Sequence, residues 1–392
     1  MTDGQIVLLD GARTPVGSFG GAFKDVPGFE LGATAVRAAL DRSDVAPEEV
    51  REVVMGCIGQ VGPDAYNARR VAVTAGLPTS TPAYTVNRLC GSGLQAIWSA
   101  AMEMRWNDLD ITVAGGDESM TRMPFYDFGA RSGYQLGDRA LVDGTVMMLT
   151  DPFHGIHMGI TAERVAERYG VSRAEQDEFA AESQRRAATP EARAAFAEEI
   201  VPVEVGGRRP VTVTEDEHPK PETTVEALGR LRPAFQKDGS VTAGNASGIN
   251  DGGAAVVLAT AGAAAARGLT PLVSLEAVAT AAMEPELMGY APVLALRSLF
   301  EQTGTRPSDI DVIELNEAFA SQAVAVIRDA ELDPARVNPY GGAIALGHPV
   351  GATGAILSLR VAKTLVREDQ ELGIVTMCIG GGQALAALFR RV

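Results

Sequence analysis

The 392-residue chain is predicted to be an α/β protein, a parallel sheet with helices on both faces. Three observations carry this. Short apolar runs rich in β-branched residues alternate with alanine-rich segments of helical spacing. The alternation stops near Met120 and resumes after Asp251-Gly252-Gly253. The pattern before the gap rhymes with the pattern after it, a weak internal duplication.

In chain order, Ile6 to Leu9 is a β-prone run closed by Gly11 and Pro15, and Leu31 to Leu40 is helical. Val50 to Ile58 reads as a strand, and Asn67 to Leu77 as a helix ended by Pro78. An apolar run from Ala83 ends on Val86-Asn87-Arg88-Leu89-Cys90-Gly91-Ser92-Gly93; Leu94, Ile97, Trp98 and Ala101 then recur at helical spacing. Ile111 to Ala114 is a strand closed by Gly115-Gly116. Met123 to Leu149 has little periodicity, and Thr161 to Tyr169 is helical up to Gly170. Ser172-Arg173-Ala174-Glu175 is a capping box, Glu182 to Phe196 a solvated helix, and Val201 to Glu222 rich in proline and charge. The stretch to about Asn250 is a large insertion, a common place for ligand binding on a rigid sheet. Beyond it come strands at Ala254 to Leu258 and Val273 to Val278, with a helical link at Ala261 to Arg267. A helix at Val293 to Phe300 and a strand at Ile310 to Leu315 follow. Then come a glycine-rich turn and helix (Gly347 to Val366), a strand from Gly373 to Met377, and a final run from Leu385 to Phe389.

Bulk composition bounds the rest. The length suggests two or three domains with ample core. A net charge of −16 disfavours nucleic acid and anionic membrane as partners. No apolar run approaches the roughly 18 residues of a membrane span. Only Cys57, Cys90 and Cys378 occur, which argues for a reducing compartment rather than a disulfide framework. Met1-Thr2-Asp3-Gly4 lacks a basic n-region, and the expected location is the cytoplasm.

Reactive groups recur beside glycines. Cys90 is predicted at a helix N-terminus, where free amides and the helix dipole stabilise a thiolate. His348 lies in Gly341-Gly342-Ala343-Ile344-Ala345-Leu346-Gly347-His348-Pro349, Asn316-Glu317 follows a strand, and Cys378 precedes Gly380-Gly381-Gly382. Each has a plainer reading. Cys90 and Cys378 suit a core, His348 a turn cap, and Asn316-Glu317 a helix cap. Together they suit acyl transfer: a cysteine nucleophile, a histidine base, a second thiol for proton transfer and backbone amides for an oxyanion.

With those residues in view, the chain resembles the thiolase family along nearly its whole length. Asn87 to Gly93 resembles its nucleophile motif, Gly115-Gly116-Asp117-Glu118-Ser119-Met120 its GG-x-E-S-M segment, and Asn316-Glu317-Ala318-Phe319-Ala320 its NEAF motif. Gly341 to Pro349 resembles GGAIALGHP, and Cys378-Ile379-Gly380-Gly381-Gly382 resembles CxGGG. The resemblance implies duplicated βαβαβαββ halves in a five-layered α-β-α-β-α core. It assigns residues 1–119 plus 251–268 to the N-terminal half, 120–250 to a loop domain over coenzyme A, and 269–392 to the C-terminal half.

The resemblance also implies roles. Cys90 accepts the acyl group, and His348 takes its proton. Cys378 exchanges a proton with the α-carbon of the second thioester. Asn316 positions a water that completes one oxyanion hole with His348, while the amides of Cys90 and Gly380 form the other. His157 and Met158 resemble the H-M-G segment of short-chain biosynthetic members. Phe235, Ala243, Ser247, Ala318 and Phe319 belong to the set that borders the pantetheine arm. Lys220 falls where some members carry an arginine for a CoA phosphate, and lysine supplies the charge without the bidentate fork. Gln383-Ala384 stands where close relatives often have another glycine. Met123 to Val142 matches a loop that pairs dimers into tetramers, which implies a homotetramer. The expected reaction joins two acetyl-CoA into acetoacetyl-CoA and CoA, with thiolysis as the reverse and no metal or redox cofactor. Three rivals remain: a degradative 3-ketoacyl-CoA thiolase, a ketoacyl synthase, and a non-catalytic acyl-CoA-binding module. His157-Met158-Gly159 argues against the first, Cys378 against the second and the intact reactive set against the third.

Overall fold

A computed structural model describes residues 2–207 and 210–392. Its first half runs β1 (Ile6–Arg13), α1 (Gly28–Ser43), β2 (Val53–Gly56), α2 (Asn67–Ala75), β3 (Ala83–Val86), α3 (Ser92–Asn107) and β4 (Ile111–Ser119). The insertion carries α4 (Met158–Tyr169), α5 (Arg173–Ala187) and α6 (Pro190–Glu199). Then follow β5 (Asn250–Thr260), β6 (Val273–Ala282), α7 (Ala291–Thr303), β7 (Val312–Leu315), α8 (Ala320–Asp329), α9 (Thr353–Arg367), β8 (Leu372–Ile379) and β9 (Gln383–Arg391).

The strands lie in the order β7-β8-β9-β6-β1-β5-β4-β2-β3, and Gly17–Ser18 adds a short pairing to β5. The expected duplication is visible in this order. The sequence β3-β2-β4-β5-β1 is matched by β7-β8-β9-β6, and a single parallel bridge from Val337 to Ile313 of β7 occupies the place of β3. The halves join where Val7 and Leu8 of β1 pair with Ser274 and Val273 of β6.

Strand alternation explains the layers. In β1, Ile6 and Leu8 face one cluster while Val7 and Leu9 face another, the period of two that pleating imposes. The first cluster is central. It packs Leu94, Ile97 and Met104 of α3 and Ala355, Leu359 and Leu365 of α9 against strands of both halves, including Val256 and Met377. Helices α1 and α2 cover the outer face of the first half through Val36, Leu40 and Val71. Helices α7 and α8 cover the second through Leu296, Leu299 and Val326. The result is the five-layered α-β-α-β-α core. Helix α9 is buried nearly all round, as a helix between two sheets must be.

Three expectations are corrected. The sheet is mixed: β2 pairs in parallel with β3 and β4, and β7 with β8, while the other ladders are antiparallel. The parallel prediction failed because β5 and β9 return beside β4 and β8 as antiparallel partners. Strand β4 does not stop at Gly115-Gly116. A Cβ at Gly115 would fall 2.2 Å from the Ala254 carbonyl, and one at Gly116 2.0 Å from that of Gly351, so these glycines serve close approach rather than a turn. The helix expected over Glu182 to Phe196 is two helices, parted at Thr189, whose hydroxyl caps α6 ahead of Pro190. The capping box at Ser172 is present as expected.

The insertion is fastened to the core by buried charge. Glu199 of α6 accepts from Arg13 of β1 at 2.7 Å and from Arg360 of α9 at 3.0 Å, while Asp216 takes Arg13 at 2.7 Å. The Phe196 ring lies under both guanidinium groups. Among the described residues no helix is long and apolar enough to cross a membrane, and no cluster of three or more His, Cys, Asp or Glu is placed to hold a metal.

Candidate active site

Cys90 sits in a tight elbow between β3 and α3. Leu89 takes a left-handed backbone, φ 49°, a costly conformation for a branched side chain. Side chains over-determine the bend. Asn87 accepts from the Leu89 amide at 3.0 Å, and Ser92 Oγ accepts from Arg88 N at 2.9 Å while donating to the Leu89 carbonyl at 2.6 Å. The N-cap of α3 is Gly91, so Cys90 is beside the helix N-terminus as the sequence predicts. The expected acidification is opposed by desolvation at this half-buried residue. Burial pushes the thiol up to about 11, and the amides of Gly380 and Cys90 itself, both directed at the sulfur, offset this only in part.

His348 is buried and held on three sides. Its amide donates to Asn250 Oδ1 at 2.9 Å, its Nδ1 lies 2.6 Å from Thr353 Oγ1, and its Nε2 lies 3.3 Å from Asn316 Nδ2. The Thr353 hydroxyl has one proton, and the Pro349 carbonyl takes it at 3.0 Å. The hydroxyl therefore accepts from Nδ1–H, which leaves the lone pair on Nε2. Burial lowers the imidazole to about 4, so it is a neutral base at physiological pH. His348 is thus not a turn cap.

Asn316 is not a helix cap either, because α8 starts at Ala320 with Phe319 as its N-cap. Its Oδ1 is buried without a hydrogen-bond partner. Glu317 faces the other way and accepts from Ser183 at 2.7 Å, Asn338 at 2.8 Å and the Ile344 amide at 3.1 Å. That carboxylate ties the end of β7 to α5 and to the turn that leads to His348.

Cys378, next to last in β8, lies within an apolar cluster of Met158, Ala246, Met288, Ala318 and Phe319. Burial and the nearby Cys90 sulfur raise its thiol well above the ordinary range. Gly380 lies against Leu89 and Met158: a Cβ there would be 3.1 Å from Leu89 Cδ1 and 3.7 Å from Met158 Sδ.

An aromatic wall leads away from the sulfurs. His157 stacks on Phe235 with centroids 4.9 Å apart, and Phe235 meets Phe319 edge-on at 6.2 Å. His157 Nδ1 accepts from the Gly159 amide at 3.0 Å, so the proton is on Nε2, and burial lowers its pKa. Ser247 N donates to the Ala318 carbonyl at 3.0 Å, which joins the Thr242–Gly248 loop to the NEAF segment. Ala243 is exposed on that loop, outside the apolar wall. Lys220 is also exposed; its amide donates to Gln184 Oε1 at 2.8 Å. Its segment borders the loop through His218, whose ring lies 2.3 Å from where a Gly248 Cβ would be.

Thr353, Asn250 and Met288 were not singled out in the sequence, and Leu89 only as part of the motif around Cys90. Thr353 lies five residues past His348, the one spacing that offered a signal. Asn250 is 98 residues from the amide it holds and offered none.

Two family models cover the chain: "Thiolase, N-terminal domain" matches residues 6–262 and "Thiolase, C-terminal domain" matches residues 269–391. The chain is 49% identical over 391 residues to beta-ketothiolase BktB of Cupriavidus necator, covering 99% of each. It is 45% identical over 387 residues to a probable acetyl-CoA acyltransferase of Staphylococcus epidermidis, covering 98% of each. Among solved structures, acetyl-CoA acetyltransferase of Bacillus anthracis superposes with a TM-score of 0.97 at 40% identity over 99% of both chains. Human mitochondrial 3-ketoacyl-CoA thiolase gives 0.96 at 38% identity over 99% of both.

Proposed function

This chain belongs to the thiolase family, and we propose that it joins two acetyl-CoA into acetoacetyl-CoA and CoA by a ping-pong Claisen condensation through acetyl-Cys90. It is an acetyl-CoA acyltransferase, and thiolysis is the same path reversed. The observation that carries the mechanism is the convergence of the Cys378 sulfur and the Gly380 amide on the sulfur of Cys90.

In the first half-reaction the Cys90 sulfur attacks the thioester carbonyl. Its proton passes to His348 Nε2 and then to the departing CoA thiolate. With the thiol near 11 and the imidazole near 4, the resting pair is neutral, so proton transfer accompanies attack. The oxyanion falls to the amides of Cys90 and Gly380, each worth roughly 3–4 kcal/mol in such a hole. In the second, Cys378 gives its proton to the His348 imidazole, and the thiolate so formed takes a proton from the methyl carbon of a new acetyl-CoA. The resulting enolate attacks acetyl-Cys90, and Cys90 leaves with the proton returned from His348. The partnerless Asn316 Oδ1, beside His348, supports its expected role of holding a water at the thioester oxygen.

The stack of His157, Phe235 and Phe319 supports a flat apolar channel for the pantetheine arm, with Met158 against its inner end. Ser247 borders it from a loop on which Ala243 faces solvent, and Lys220 offers a cation nearby. The reaction so written consumes only coenzyme A thioesters. Phe125, Phe128, Leu136 and Leu141 expose large apolar side chains on the 123–142 stretch, which supports pairing of copies into a tetramer. Three unpaired cysteines support a cytoplasmic location.

Incubation with acetyl-CoA, followed by peptide mass spectrometry, should place one acetyl group on Cys90, and condensation should be lost in Cys90→Ala. Wild-type condensation by that variant overturns the reading.

A further inference from the structure

We propose that Glu118 is a positioning residue for this reaction, clamping the loop after β2 to the amide end of α9 and so setting where His348 meets Cys90. The inference rests on the thiolase reading of the site.

Glu118 is the penultimate residue of β4 and is 1% exposed. Its carboxylate accepts from the Ile58 amide at 3.0 Å and the Gly59 amide at 2.9 Å, and the Gly351 amide faces it as well. Two separate segments are thereby gripped by one side chain. Helix α9 begins with Ala352 as N-cap and has no side-chain cap of its own, so an anion from β4 serves its positive end.

Gly351 is the point that matters for catalysis. It lies three residues after His348, and it is pressed from several sides. A Cβ there would fall 2.7 Å from Glu118 Oε2, 2.6 Å from the Asp117 carbonyl and 3.1 Å from the Cys57 Cα. Its own carbonyl lies 3.0 Å from where a Gly93 Cβ would be, at the start of α3 just past Cys90. Gly354 likewise admits the Leu94 amide, 2.1 Å from its missing Cβ. The starts of the two central helices, one carrying the nucleophile and one the base, are therefore keyed backbone to backbone. Glu118 holds the His348 side of that contact.

The carboxylate also acts on Cys90 through its charge. Burial pushes Glu118 up to about 7, against the pull of the three amides, and its negative charge raises the Cys90 thiol. Its other titratable neighbours are Asp117 on β4, raised to about 8, and the Cys57 thiol 3.8 Å away. Asp64 acts on that pair, Arg70 of α2 on Asp117, and Arg122 lines a 270 Å³ cavity together with Cys57, Asp117 and Glu118.

Glu118→Gln preserves volume and removes the charge, and an amide cannot accept from all three donors. The expected result is a folded protein whose kcat falls about tenfold or more, with little change in KM for acetyl-CoA. Its curve of Cys90 alkylation by iodoacetamide against pH moves to lower pH. Glu118→Asp keeps the charge and shortens the reach: kcat falls while the alkylation curve stays with wild type. Wild-type kcat together with wild-type alkylation curves overturns the inference. Should Glu118→Gln not fold, wild-type kcat in Glu118→Asp overturns it alone. Acetylation of wild-type Cys90, run in parallel, separates this failure from failure of the thiolase reading.

Discussion

The Thr353 hydroxyl lies 2.6 Å from Nδ1 of His348 and gives its only proton to the Pro349 carbonyl. One side chain thus decides which imidazole nitrogen is basic. Thr353→Val keeps the shape and removes the acceptor. The expected loss in kcat is roughly 10- to 100-fold, the range for partners that orient a functional histidine. Circular dichroism should show the fold unchanged, and steady-state condensation kinetics check the loss.

Cys378 and Cys90 are both thiols in one pocket, yet they divide the reaction. Cys378→Ala should accept an acetyl group on Cys90 as wild type does. It should lose condensation by about 10²- to 10⁴-fold, the contribution of a positioned acid or base. Mass spectrometry of the acetyl-enzyme and a spectrophotometric assay of acetoacetyl-CoA read the two halves separately. Equal loss of both would refute the division.

Gly159 is the residue against which Phe235 lies. A Cβ there would fall 2.3 Å from the ring. Gly159→Ala should displace Phe235 from its stack on His157. The stack is worth about 0.5–1.5 kcal/mol, so kcat/KM should fall about two- to tenfold through KM. An unchanged KM for acetyl-CoA counts against the pantetheine channel.

Glu199 is buried between Arg13 and Arg360. Burial pushes its pKa up, but the two guanidinium groups outweigh this and hold it at about 2. A depressed folded pKa contributes stability that is full above the unfolded value of about 4.3 and lost as pH falls toward 2. Glu199→Gln leaves the buried Arg360 without its hydrogen-bonded anion, while Arg13 keeps Asp216, and should cost about 3–5 kcal/mol at neutral pH. Urea unfolding at several pH values checks both: the gap between variant and wild type should close as the solution is acidified.

The catalytic groups were readable because their signals are local. Glycines beside Cys90, His348 and Cys378 mark backbone that must turn or be approached closely, and such constraints are written into neighbouring residues. The apolar runs likewise announced the alternation of strand and helix, and the Ser172 box its cap. Gly115-Gly116 misled, since the same residue that ends a strand also lets a strand run under another backbone. Which of the two holds depends on Ala254 and Gly351, far away in the chain.

From the residues in order one obtains the elements, the duplicated pattern, the reactive groups and the family. Packing alone gave the mixed sheet, the close approach at Gly115-Gly116, the tautomer of His348 and the charge state of Cys90. The helix N-terminus beside Cys90 argues for a thiolate, and burial reverses it. Desolvation depends on every atom that surrounds a sulfur, and segments as distant as Gly380 and Glu118 reach Cys90, brought together by no spacing that a linear chain displays.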